Sequence, residues 1–268
     1  PFGAAALAVI ALNEGDRLRR DHGRPGGGEA AAPRARAAAL GAAVAILAAA
    51  GYFCRALLTD DFYVGRNLPV VTGVGVNPDL VPEGAAGWLA AQEPPGRLFN
   101  NYNSGAYLLY RLHPAVRPYI DSRFDTSRRY QEVERILGVE DAFDIWALGE
   151  GIGTVVLFHP SPESFSLLPR LSRDPGWVMA FRDANSTVHV RAGTVARARA
   201  RPIPLPPVVE PAAEAINAWL GRFKRAILPA AELTDAFVSR ILGDRERERD
   251  AFRRALATHL PGLTTRLA

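Results

Sequence analysis

The stretch Gly153–Phe158, "GTVVLF", carries six residues without a charge, three of them β-branched. Such a run is the signature of a central strand covered on both faces, and it sets the fold class as α/β with a mixed sheet. Working backward, Ala142 to Glu150 and Thr126 to Leu137 read as helices, and Arg117 to Asp121 reads as a strand. Ser104 to Leu112 reads as a short helix opened by its serine, and Arg97 to Asn100 as another strand. Asp79 to Gln92 reads as a helix with Pro82 and Glu83 in its first turn, stopped by Pro94, Pro95 and Gly96. Working forward, Pro162 to Ser172 makes a further helix. "WVMAFRD" and "STVHVRA" then flank the turn residues Ala184 and Asn185 as an antiparallel hairpin. One α/β domain over Gly73 to Thr194 is expected, its core including Leu98, Phe99, Tyr119, Ile120, Val155, Val156, Leu157, Val178 and Phe181.

Upstream the chain changes character. Ala37 to Cys54, "AAALGAAVAILAAAGYFC", holds no charge, and Ala56, Leu57 and Leu58 extend it past Arg55. This lies near the roughly 18-residue lower limit for crossing a hydrocarbon core, and its Ala and Gly content suits close packing in a helix bundle. An Ala-rich buried helix of a soluble protein is the competing reading. Phe2 to Leu12 reads as the tail of a second membrane helix, so the chain reads as a fragment of a longer polytopic protein. The loop between holds Arg17, Arg19, Arg20, Arg24, Arg34 and Arg36. Arginine-rich short loops stay in the cytoplasm, which makes residues 59–268 extracytoplasmic. The run "RPGGGE" lacks the Lys-Ser/Thr of a phosphate loop and reads as a flexible link.

The expected organisation is therefore a membrane part over 1–58 and an α/β domain over 59–195. An Arg- and Pro-rich extended linker over 196–211 and an all-α tail over 212–268 follow. The 268 residues, 48% hydrophobic and 22% charged, suffice for at least one sizeable core. The net charge of +4 is carried almost wholly by arginines interleaved with acids, Lys224 being the one lysine, so a nucleic-acid surface is not indicated. A single cysteine, Cys54, excludes an internal disulfide framework and a cysteine-rich zinc site. His113, His159 and His189 lie on different elements without ligand spacing, and Ser161, Ser164 and Ser166 lack a nucleophile-elbow context. No cofactor is expected.

Candidate binding residues cluster where the two early strands end. If those strands are parallel neighbours, Asn100, Asn101, Asn103, Asp121, Arg123 and Asp125 lie outside their carboxyl ends, where open α/β sheets hold ligands. Amides and carboxylates suit sugar hydroxyls, and Arg123 suits a phosphate. The same residue types are the ordinary residues of tight turns, and Arg123 paired with Asp121 or Asp125 is the structural alternative.

Gly73 to Thr126 resembles the region after the last membrane helix of bacterial polytopic proteins that look like relatives of the GT-C glycosyltransferases. That class uses lipid-phosphosugars and includes protein mannosyltransferases and oligosaccharyltransferases. The resemblance rests on Gly96 to Asn100, Gly105 to Leu108, Ile120 to Arg123 and Trp177 to Asp183. Ser104-Gly105-Ala106 stands where the pattern has a Gly-Gly pair, and Ser122 where it has a glycine. The resemblance implies a bacterial inner-membrane protein whose partners are membrane lipid and a lipid-linked sugar or an acceptor protein. It also places the catalytic carboxylate in a first external loop outside these residues. The expected function is thus the extracytoplasmic accessory domain of a membrane glycosyltransferase-like protein. A non-catalytic envelope scaffold that binds partner proteins through its α/β domain and helical tail is the alternative, and a free-standing soluble enzyme the third.

Overall fold

The computed structural model describes residues 31–122, 127–138, 142–194, 197–199, 201–209, 211–224 and 227–259. Phe2 to Leu12 and most of the arginine-rich loop after it lie outside these residues. The chain divides into two compact units, Pro1–Arg55 and Ala56–Ala268. The described part of the first is helix α1 (Ala31–Leu58), whose last residues belong to the second unit. Within α1, Ala37–Leu58 has a mean hydropathy of 2.0 over its most apolar window and buries none of it. It is one helix long and apolar enough to cross a membrane.

The second unit is built around a four-stranded mixed sheet. β1 (Gln92–Glu93) stands apart. β2 (Arg97–Asn100), β3 (Ile152–Phe158), β4 (Trp177–Arg182) and β5 (Ser186–Arg191) make the sheet in the order β2-β3-β5-β4. β2 and β3 are parallel and the other pairs antiparallel. A parallel pair needs a long crossover, and α4 (Tyr102–Leu112), α5 (Ser127–Leu137) and α6 (Ala142–Gly149) supply it. Every residue of β3 is buried. Val155 and Leu157 point into one apolar cluster with Phe99, Phe143 and Leu167, while Val156 points into another with Leu98, Leu89 and Leu108. The alternation along β2 and β3 thus feeds two cores. α3 (Glu83–Ala91) and α4 cover one face, and α6 and α7 (Glu163–Arg173) cover the other.

Several sequence expectations are corrected. Arg117 to Asp121 is not a strand: it is an irregular segment with a bend at Tyr119 and no ladder, and the side chain of Asn100 takes up backbone groups of Tyr119 and Ile120. The helix expected from Asp79 begins at Glu83. Before it come a 3-10 turn at Pro78–Leu80, capped by Asn77, and an extended Val81. Val178 is 51% exposed rather than core, because β4 is the edge of the sheet and this residue lines an open apolar groove with Trp88 and Val190.

The linker and tail are not separate either. β6 (Arg197–Ala198) pairs antiparallel with β1, and the Ile203 N–H donates to the Ala90 carbonyl at 3.0 Å. The Pro206 carbonyl accepts from Arg111, a buried guanidinium that also pairs with Glu83 through two nitrogens. Prolines cannot donate to a ladder, but their carbonyls still accept, so this segment is stitched to α3 and α4 by acceptors and short bridges. After α8 (Pro211–Gly221), helices α9 (Ala230–Leu242) and α10 (Arg245–His259) form a hairpin. Val238 of α9 enters the same apolar cluster as Phe99. Asp235, 1% exposed, holds Arg182 of β4 together with Arg247 and Arg254 of α10. The short remaining helix, α2 (Asp61–Val64), follows the end of α1.

Candidate functional site

Asn100 and Asn101 are fully buried, and every polar atom of their side chains is spent. The Asn100 amide donates to the Ile120 carbonyl at 2.9 Å and to the Asn101 carbonyl at 2.9 Å. Its oxygen accepts from the Tyr119 N–H at 2.8 Å. Asn101 does the same for the end of β3, donating to the Phe158 carbonyl at 2.8 Å and to Ser164 Oγ at 3.0 Å, and accepting from the Phe158 N–H at 3.0 Å. Asn101, and not Ser104, occupies the N-cap position of α4, with its side chain diverted to β3. Ser104 sits in the first turn and donates to the Asn101 carbonyl at 2.7 Å. Gly105 completes the junction. A Cβ there would lie 1.8 Å from the Ile120 carbonyl oxygen, so only glycine lets α4 rest on the 119–121 backbone.

The remaining candidates separate. Asn103 is exposed on the first turn of α4, and Asp121 is half-buried and has an interaction of its own. Arg123 and Asp125 lie outside the described residues. The polar stretch therefore joins β2, β3, α7 and the 117–121 segment. Asn100 and Asn101 have no donor left for a ligand.

A second polar constellation lies beside this junction. Arg97 opens β2, Glu150 precedes β3, Arg128, Arg129 and Glu132 are on α5, and Tyr119 is on the 117–121 segment. Together they line a pocket of about 320 Å³. Tyr119 is braced by an aromatic stack, 5.2 Å from Trp146 edge-on and 5.9 Å from Phe99. The Arg97 and Arg129 guanidiniums sit 5.8 and 5.5 Å from its ring centre. Burial, reinforced by Glu132 and Glu150, pushes the Tyr119 phenol above its ordinary value. Arg97 is held by Glu150 at 2.6 Å, Glu132 accepts from Trp146 Nε1 at 3.3 Å, and Arg129 donates to the Tyr119 carbonyl at 3.0 Å. All three arginines are exposed.

Three guanidiniums against two carboxylates, beside a phenol, can receive an anion through charge-assisted bonds and sugar hydroxyls through the carboxylates. Sequence reading missed this set because Arg97 and Glu150 are drawn together only by the β2–β3 register, and Tyr119 only by the side chain of Asn100. The Arg128-Arg129 doublet was the one local signal.

The other chemistry-bearing residues are interior. His159 and His189 are almost completely buried. Burial pushes His159 down to about 3, against the Ala184 carbonyl that favours its charged form, and burial pushes His189 down to about 4. Among the described residues no group of His, Cys, Asp or Glu is placed to hold a metal ion. Comparison with protein-family models, with curated proteins and with solved structures finds no match for this chain.

Proposed function

We infer that this chain is the membrane-anchored, extracytoplasmic accessory part of a GT-C-like glycosyltransferase of the bacterial inner membrane. In this reading Ala37–Leu58 is the anchor and the α/β unit receives the anionic, sugar-bearing end of a lipid-linked donor without performing the transfer. The observation that carries it is the arginine pocket at Arg97, Arg128 and Arg129 around Tyr119, where an exposed cationic rim stands over a rigid aromatic floor. The reading draws its class from the resemblance of Gly96–Asn100 and Ile120–Arg123, and its role from Asn100 and Asn101 being committed to structure.

The test uses the full-length protein in membranes with a short-chain polyprenyl diphosphate sugar. Arg128→Ala is expected to weaken binding about tenfold or more, the cost of about one charge-assisted contact of 1.5 to 3 kcal/mol, while leaving melting unchanged. Unaltered donor binding in Arg128→Ala and Arg97→Ala would sink the reading.

A second reading, a non-catalytic envelope scaffold, is favoured by one observation. Phe165 and Phe237 stack edge-on at 5.2 Å while both remain about half exposed, and Leu233 lies one turn away on α9. Glycan transfer unaffected by the pocket variants but abolished by Phe237→Ser would favour the scaffold.

A further inference from the structure

We propose that the face formed by α8 and the strap of residues 68–76 lies in the headgroup and acyl boundary of the bilayer. This deepens the reading above and rests on Ala37–Leu58 being a membrane span.

The face is apolar where a surface helix is normally polar. Ala213, Asn217 and Leu220 turn α8 inward, yet Ile216 and Trp219, one turn apart on its outer side, and Phe223, in the turn just past its end, stay 46%, 50% and 40% exposed. Trp219 and Phe223 pack edge-on at 4.9 Å, a preformed aromatic pair. The neighbouring strap adds Leu68, Val71, Val74 and Val76, all exposed. It is fixed to α8 as though to another strand: Asn217 accepts from the Val74 N–H at 2.8 Å and donates to the Val74 carbonyl at 2.9 Å.

The same face is tied to Leu57 and Asp60, residues of its own unit at the end of α1. Thr72 Oγ1 donates to the Leu57 carbonyl at 2.6 Å, and the Thr72 N–H donates to Asp60 Oδ1 at 2.8 Å. Lys224, one residue after Phe223, pairs with the fully buried Asp60 and donates to the Thr72 carbonyl at 2.9 Å. Position 223 is therefore one residue from a side chain bonded to position 60, just past the last turn of α1. When Leu58 emerges from hydrocarbon, the strap and Phe223 are within reach of the boundary. Their composition suits it: aromatic and aliphatic side chains toward the acyl region, with Arg66 and Arg222 exposed among them to meet phosphate headgroups.

The test places a nitroxide by cysteine labelling in the full chain, with Cys54→Ser as background, reconstituted in vesicles of phosphatidylethanolamine and phosphatidylglycerol. Positions 219, 223 and 71 are compared with 48 in the span and 249 on α10, by collision with oxygen, which favours lipid, and with a water-soluble nickel chelate. Labels at 219, 223 and 71 are expected to match position 48 in favouring oxygen, while 249 favours nickel. Nickel collisions at 219 and 223 equal to those at 249, with 48 still in lipid, overturn the docked face and leave the span standing. Position 48 open to nickel overturns both. Labels shielded from both reagents overturn the proposal in favour of a protein contact on this face.

Discussion

At the scale of single residues, Asn100 and Gly105 do the work that a further strand would have done. Asn100 presents one donor and one acceptor to the backbone of residues 119–120, which is what a strand residue presents to its neighbour. Asn100→Asp keeps the shape but cannot donate, and it places a charge at a site with no exposure. The expected loss is about 3 kcal/mol or more in urea denaturation, against about 0.5 kcal/mol or less for Asn103→Ala on the surface. Equal costs for the two would mean that the junction is not structural.

The buried histidines set a pH dependence at the same scale. Both have folded values below the ordinary 6.5, so the unfolded chain takes up protons that the folded chain refuses. Stability is complete above about pH 6.5 and falls as pH drops toward about 4, by up to about 1.4 kcal/mol per pH unit for each histidine. Melting temperatures measured across this window should decline, and His189→Leu should flatten the slope. A decline of the same steepness in the variant would assign the acid sensitivity to other groups.

At the scale of elements, what was legible is what a single period reveals. The run "GTVVLF" is a doubly covered strand, the segments flanking Ala184 and Asn185 are a hairpin, and α5, α6 and α7 lie close to where their apolar spacing places them. Val156 is the sharpest case, fully buried between Leu98 and Val188 in the second apolar cluster. Val156→Asp should leave no cooperative transition, since an unpaired charge there costs as much as a small domain's whole stability. What was not legible depends on side chains substituting for backbone: the ladder missing at 117–121, the carbonyls of the proline-rich segment, and the exposure of Val178 on an edge that only the strand order defines. The candidate site followed the same logic, because polar residues in a turn look alike whether they face a ligand or the neighbouring loop.

Asp235 governs another element. Removing it by Asp235→Ala leaves Arg182, whose side chain is 10% exposed, without its nearest carboxylate, and it releases the α9–α10 hairpin from β4. About 3 to 5 kcal/mol should be lost, and amide exchange should quicken in α9 and α10 ahead of β3. Uniform quickening across all elements would show that the hairpin has no separate stability.

At the scale of the molecule, the compartment of the α/β unit depends on which side of a membrane each end of α1 lies. The uncharged run of Ala37–Cys54 and the arginines gathered between Asn13 and Arg36 together predict a span with that loop in the cytoplasm and the α/β unit outside. Labelling decides it, provided the reporter on the unit is accessible: Ser186 is buried and bonded to Asp183, whereas the Asp250 side chain on α10 is 48% exposed. In a Cys54→Ser background, Asp250→Cys in intact spheroplasts should react with a membrane-impermeant maleimide, and Gly27→Cys should react only after lysis. The clamp between Asp60 and Lys224 then adds a quantitative expectation. Lys224→Met strands a fully buried carboxylate beside the exit of the helix, so the unit should lose several kcal/mol while the labelling pattern stays the same. Reaction at Gly27 without lysis, with Asp250 protected, would reverse the orientation and overturn the proposed function.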